Sequence, residues 1–342
     1  MNGKNIRSSL IFITLAFMLA LVINIRSSLI FITLAFMLAL VIYPDRYISS
    51  IARGLDLFVK AVLPALFPFF FFSRILTSLN AFSPFEKYLK KPLKKLFNAP
   101  PISGYILFVS LMSGYPLGAK LLADCYNDGY IDEEDAKNIS IFTSTSGPLF
   151  VLGSVGINMM ANKTAGFVML ISHYAGAILN GIIMVNRKQK SALINKTALL
   201  PQTDGDLLGK SILSSVTAIA IVGGYIAVFV MLADILADFK ILPFFERFFH
   251  LFGMPRKISS GTTLCAIEIT AGCKALCSSG YPVKTVLPVC AAMISFGGAS
   301  IILQSLAFIS QCKIKPLFFL KNKITQGIIT YFIATLLCLV LF

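Results

Sequence analysis

Residues Ser103 to Cys125 read SGYILFVSLMSGYPLGAKLLADC, an apolar stretch broken in the middle at Ser113-Gly114-Tyr115-Pro116. A membrane-spanning helix needs roughly 20 apolar residues, and the length is here. The centre is not helical in chemistry. Proline withdraws an amide donor and disrupts the preceding turn, and glycine lets the chain reverse at little steric cost. Backbone groups freed in this way are tolerated at membrane depth only where protein or a wet cavity satisfies them. Ser259 to Ser279, SSGTTLCAIEITAGCKALCSS, repeats the pattern, and its Gly272-Cys273-Lys274 matches Gly118-Ala119-Lys120.

The composition around these stretches is that of a membrane protein. Of 342 residues, 57% are hydrophobic and 13% charged, and mean hydropathy is +0.83. That is too little polar surface to cover a water-soluble globule of this size. The net charge of +15 comes from short Lys and Arg runs beside apolar stretches. This is the pattern of cytoplasmic loops facing anionic lipid, and it argues against nucleic acid as a partner. Seven cysteines form no C-x-x-C pair, and two histidines are too few for an imidazole-based site. No metal or cofactor is expected.

The N-terminal region, residues 1–43, reads as an anchor carrying an exact tandem duplication. Asn5 to Ile23, NIRSSLIFITLAFMLALVI, recurs unchanged as Asn24 to Ile42. Each copy has an apolar run of about 14 residues, short of a full span. With no A-x-A-like cleavage site, the first copy reads as uncleaved. Either one copy alone spans in the usual orientation, or the first is an additional short helix and the N-terminus lies outside.

The remainder reads as one unit used twice, residues 54–186 and 211–342, around a basic loop at 187–210. In the first unit come the apolar helix Gly54–Leu79, the basic amphipathic stretch Ser83–Phe97, and the broken segment Ser103–Cys125. Two helices, Ile139–Met160 and Thr164–Val185, complete it. The second unit gives Ser211–Leu236, the aromatic Pro243–Phe252, the broken Ser259–Ser279, Thr285–Cys312 and Ile324–Phe342. Paired halves with interruptions at matching places are the signature of inverted-repeat transporters. The charges test this. If Ser103–Cys125 enters and leaves on the cytoplasmic side, then Lys87–Lys95, the 187–210 loop and the Lys313–Lys323 lysines all lie inside. The expected fold is therefore an all-α polytopic membrane protein. It has two inverted repeats, each with a re-entrant helical hairpin, and about seven to eight transmembrane helices.

Candidate binding residues are those at the breaks. They are Ser113, Gly114, Tyr115 and Gly118 in the first hairpin, and Thr143, Ser144, Thr145 and Ser146 in the helix after it. Glu268, Thr270 and Gly272 in the second hairpin and Gly297 and Gly298 beyond it complete the set. Unwound ends expose amides and carbonyls that bind anionic groups and cations. Glu268, an acid in an apolar stretch, reads as a proton, cation or solute site, or as half of a pair with Lys274 or Lys120. His173 reads as a helix-packing hydrogen bond, with a proton relay as the alternative. Lys120 and Lys274 are expected to snorkel toward an interface.

The segments SGYPLGAK (Ser113–Lys120), TSTSGPLF (Thr143–Phe150), SHYAG (Ser172–Gly176) and EITAGCK (Glu268–Lys274) resemble the sporulation integral membrane proteins of endospore-forming bacteria. That family carries paired nucleoside-recognition, or Gate, domains, shared with nucleoside transporters and ferrous-iron permeases. The resemblance implies a multi-pass cell-membrane protein with a role in spore formation. It also implies a transport activity, and the paired broken helices with matching hydroxyl-rich breaks lead to the expectation of a small polar or anionic solute passing between the two repeats. The alternative is a non-transporting scaffold for spore assembly, recruiting partners through the acidic Asp128–Asp135 loop or the basic Lys87–Lys95 helix. An enzyme is not expected, since P-loop, H-E-x-x-H and G-x-S-x-G are all missing. Expected partners are membrane lipid and a small-molecule solute, with a homo-oligomer or other sporulation membrane proteins left open. A topology reporter fused after Lys95 or Lys315 is expected to read cytoplasmic, and one fused near Arg247 external. An external reading within 187–210 would defeat the hairpin assignment.

Overall fold

The computed structural model describes residues 25–79, 81, 83–187, 206–251 and 253–342. The first copy of the duplicated segment and most of the 187–210 loop lie outside these. Every described element is helical. Helix α1 (Ile25–Ile42) is followed by α2 (Pro44–Leu57), which passes through a π-helical turn into α3 (Leu63–Ser78). The amphipathic stretch is α4 (Ser83–Phe97), bent by 80° from the next helix. Lys163–Met184, Leu207–Asp238, Val283–Cys312 and Pro316–Leu341 are long and apolar enough to cross a membrane, and the two bent pairs bring the total up to 6. Leu66–Ser78 and Leu149–Met159 are apolar but shorter.

Both broken segments are helical hairpins. Helices α5 (Ile102–Ser113) and α6 (Leu117–Asn127) turn at Gly114, whose φ of 89° favours glycine. A Cβ on Gly118 would fall 2.1 Å from the Thr143 carbonyl oxygen and 2.6 Å from Ser110 Oγ. The arms touch because nothing larger than hydrogen stands between them. Next come α7 (Glu133–Ser140), an unwound stretch over 141–147, a π-helix (Leu149–Met159) entered at Pro148, and α8 (Lys163–Met184). The expected continuous helix Ile139–Met160 is thus two helices parted by the Thr-Ser-Gly-Pro run. Four clustered hydroxyl residues and a proline compete there with the backbone ladder.

The second unit follows the same order. It has α9 (Leu207–Asp238), α10 (Leu242–Leu251), α11 (Arg256–Ile267) and α12 (Ile269–Cys277). After these come α13 (Val283–Phe296), α14 (Gly298–Ile309) and α15 (Pro316–Leu341). Helices α11 and α12 fold back on each other around Glu268. Gly261 faces Leu276, and a Cβ on Gly272 would lie 2.2 Å from the Cys265 amide nitrogen. The expected break in the following helix falls at Gly297, with φ of 92°. Helix α15 begins at Pro316, earlier than the expected Ile324, so Lys321 and Lys323 are helical rather than loop residues.

The units interlock. Helix α6 of the first hairpin packs on α14, α12 of the second packs on the π-helix, and α8, α13 and α15 pack together between them. Helix α9 lies along α2 and α3. There Arg46 pairs with Asp238, Arg53 pairs with Asp234, and Ser50 Oγ donates to Asp234 at 2.5 Å. Within the Phe67–Phe72 run, Phe70 is buried while Phe72 is exposed.

Replacing Gly272 by leucine should destabilise the purified protein by about 1–3 kcal/mol or more through overpacking. Gly153→Ala, where an added Cβ meets nothing within 4 Å, should leave the melting temperature close to wild type. Equal melting of the two variants would show that the second hairpin is not closed as described.

Candidate functional site

The tips of the two hairpins face one cavity of about 350 Å³. Ser113, Gly114 and Tyr115 form its wall from the first hairpin, and Glu268, Ile269 and Thr270 from the second. Ser146 and Gly147 of the unwound stretch line it, as do Ser300 and Gln304 just past the Gly297 break. Apolar side chains of α2, α3 and α9 close one side, Leu66 and Val222 among them. Six of the candidate residues therefore meet in one place, although up to 157 positions separate Ser113 from Thr270 in sequence.

Glu268 is 5% exposed and caps α12. Its two carboxylate oxygens accept from the Thr270 amide at 3.0 Å and the Ala271 amide at 2.7 Å. An anion at a helix N-terminus meets free N–H groups and the positive end of the dipole, so it needs no basic side chain. Neither expected pairing forms. Lys120 instead bonds Asp124 at 2.6 Å, beside Arg74 and Asp128, and is buried rather than snorkelling. Lys274 is exposed. Glu268 is the one charged side chain lining the cavity among the described residues.

The other candidates pack behind the wall. Thr143 offers its carbonyl to Ser110 Oγ, and Thr145 Oγ1 lies 2.8 Å from the same hydroxyl. Gly118 and Gly272 close the hairpins, and a Cβ on Gly298 would lie 2.4 Å from the Cys265 carbonyl oxygen. Gly297 supplies the bend.

His173 is fully buried on α8. Its Nε2 is 2.7 Å from the Ser146 amide nitrogen, and its Nδ1 is 2.6 Å from Ser295 Oγ. A backbone amide only donates, so Nε2 accepts and Nδ1 carries the proton. Ser295 Oγ in turn donates to Thr330 Oγ1 at 2.9 Å. The ring is therefore a packing bridge, and taking up a second proton would first break its bond to the amide.

Lys323, assigned from sequence to a cytoplasmic flank, is 2% exposed. Its ammonium donates to Tyr115 Oη at 2.7 Å, the Ser144 carbonyl at 2.9 Å and Gln326 Oε1 at 2.8 Å. Asn180, equally buried, holds α8 to α15 by accepting from Thr325 Oγ1 at 2.7 Å. Neither residue was among the candidates. The signal that reveals Lys323 is its register: Lys323, Gln326 and Thr330 form a polar stripe on one face of an apolar helix.

Spans of this length and polar breaks closed within the fold define a multi-pass integral membrane protein. The chain is 26% identical over 315 residues to the sporulation integral membrane protein YlbJ of Bacillus subtilis (strain 168), covering 84% of this chain and 76% of that one. No family model matches it, and neither does any solved structure.

Substituting His173 by phenylalanine removes the acceptor from a buried amide, a cost of about 1–3 kcal/mol. Thermal melting should record that loss. An unchanged melting temperature would mean the amide has another acceptor.

Proposed function

We propose that this protein serves in spore formation as a permease-like, non-enzymatic membrane protein, passing a small polar solute between its two Gate-like repeats. The observation that carries this reading is the cavity shared by both hairpin tips, the arrangement expected of a transporter site at a repeat interface. Similarity to the Bacillus subtilis protein supports the sporulation role. Of the two solute classes expected, polar and anionic, the carboxylate of Glu268 favours a solute presenting hydrogen-bond donors. A net anion would meet repulsion from that carboxylate, and no basic side chain offsets it among the described lining residues.

The scaffold alternative loses ground at the acidic loop. Asp128 pairs with Arg74, and Asp132 caps α7 by accepting from the Asp135 amide at 2.7 Å. Those carboxylates are engaged within the fold.

Comparing metabolites of sporulating cells with and without the gene should identify the solute, which is then followed into proteoliposomes. Glu268→Gln is expected to cut uptake by about tenfold, the worth of one charge-assisted hydrogen bond. Ser146→Ala should reduce uptake by less. Normal uptake and sporulation in both variants would refute the site. Loss of sporulation on replacing only the 128–135 loop, with uptake intact, would favour the scaffold.

A further inference from the structure

The unwound stretch at 141–147 is held from two sides by residues in equivalent positions. One constant step along the chain carries Gly147 onto Gly297, His173 onto Lys323 and Asn180 onto Thr330. His173 takes the donor that the stretch frees, the Ser146 amide, and Lys323 takes an acceptor, the Ser144 carbonyl. The two residues meet opposite backbone polarities from matching places on α8 and α15.

Lys323 forms no ion pair with any described carboxylate. All three of its acceptors are neutral oxygens: a phenol, a main-chain carbonyl and a side-chain amide. Two belong to the first repeat, one at the hairpin tip and one in the break, and the third lies on α15. Neutral oxygens converging from an unwound segment and a neighbouring helix are the ligand set with which membrane proteins hold alkali cations. Burying an ammonium costs several kcal/mol, and a neutral donor would have served a merely structural link.

We propose that this is a monovalent-cation site permanently filled by the tethered ammonium of Lys323. The lysine takes the place of a dissociable sodium or potassium ion and cross-links the two repeats where the first hairpin tip meets the break. The protein therefore needs no alkali metal to close this junction. The inference does not depend on transport, and its test reads stability rather than flux.

The experiment melts the purified full-length protein in NaCl, KCl and choline chloride at equal ionic strength. Wild type should melt at the same temperature in all three. Lys323→Ala, which empties the site but keeps its oxygens, should melt lower in choline chloride and recover by a few degrees in NaCl or KCl, since a bound ion stabilises by mass action. Lys323→Met, which fills the space without charge, should melt lower in every salt with no recovery. Wild-type melting of Lys323→Met would overturn the proposal, because charge would then be dispensable. So would a Lys323→Ala protein that sodium and potassium help no more than choline does. Should Lys323→Ala give no folded protein, Tyr115→Phe and Gln326→Leu are combined instead. Their effects should be non-additive because both act on one ammonium, and strict additivity would overturn the proposal.

Discussion

Everything in this fold depends on how the backbone of residues 141–147 is satisfied without a helix around it. In a hydrocarbon environment a free amide or carbonyl costs several kcal/mol, so a chain that unwinds there must be met by partners from elsewhere. His173 and Ser110 meet it from the first unit. Lys323 meets it from the second. These contacts fix the distance between α8, α15 and the first hairpin, and the cavity is the space left between the hairpin tips once they are fixed.

The two units solve the same problem with different chemistry. At its turn the first hairpin has Gly114 and a proline, and the second has a carboxylate that caps the returning helix. After the hairpin, the first unit unwinds over seven residues, 141–147, whereas the second breaks at Gly297. The symmetry of element order therefore survives while the electrostatics do not. One side of the cavity is acidic, and the cation sits a layer behind Tyr115.

Much of this was legible in the sequence, because glycine and proline declare their backbone consequences locally. The hairpins at Gly114 and Glu268, the bend at Gly297 and the amphipathic Ser83–Phe97 helix follow from residue types alone. The extent of unwinding did not, since Ile141 and Phe142 suit a helix equally well and are buried in either case. Lys323 was hidden by its company. Beside Lys313, Lys315 and Lys321 it looks like one more charge at a membrane edge, and only its register with Gln326 and Thr330 sets it apart. Lys120 was half legible: its partner Asp124 lies four residues on along the same helix, but Arg74, which holds Asp124 from α3, could not be foreseen.

The tightness of the two hairpins has a steric side. With no clearance at Gly118 or Gly272, any side chain larger than hydrogen there would have to push its neighbours apart, so each hairpin's packing is set by a single glycine. The π-helix Leu149–Met159 packs on the second hairpin and has open space beside Gly153, so this neighbouring element carries no comparable steric constraint there.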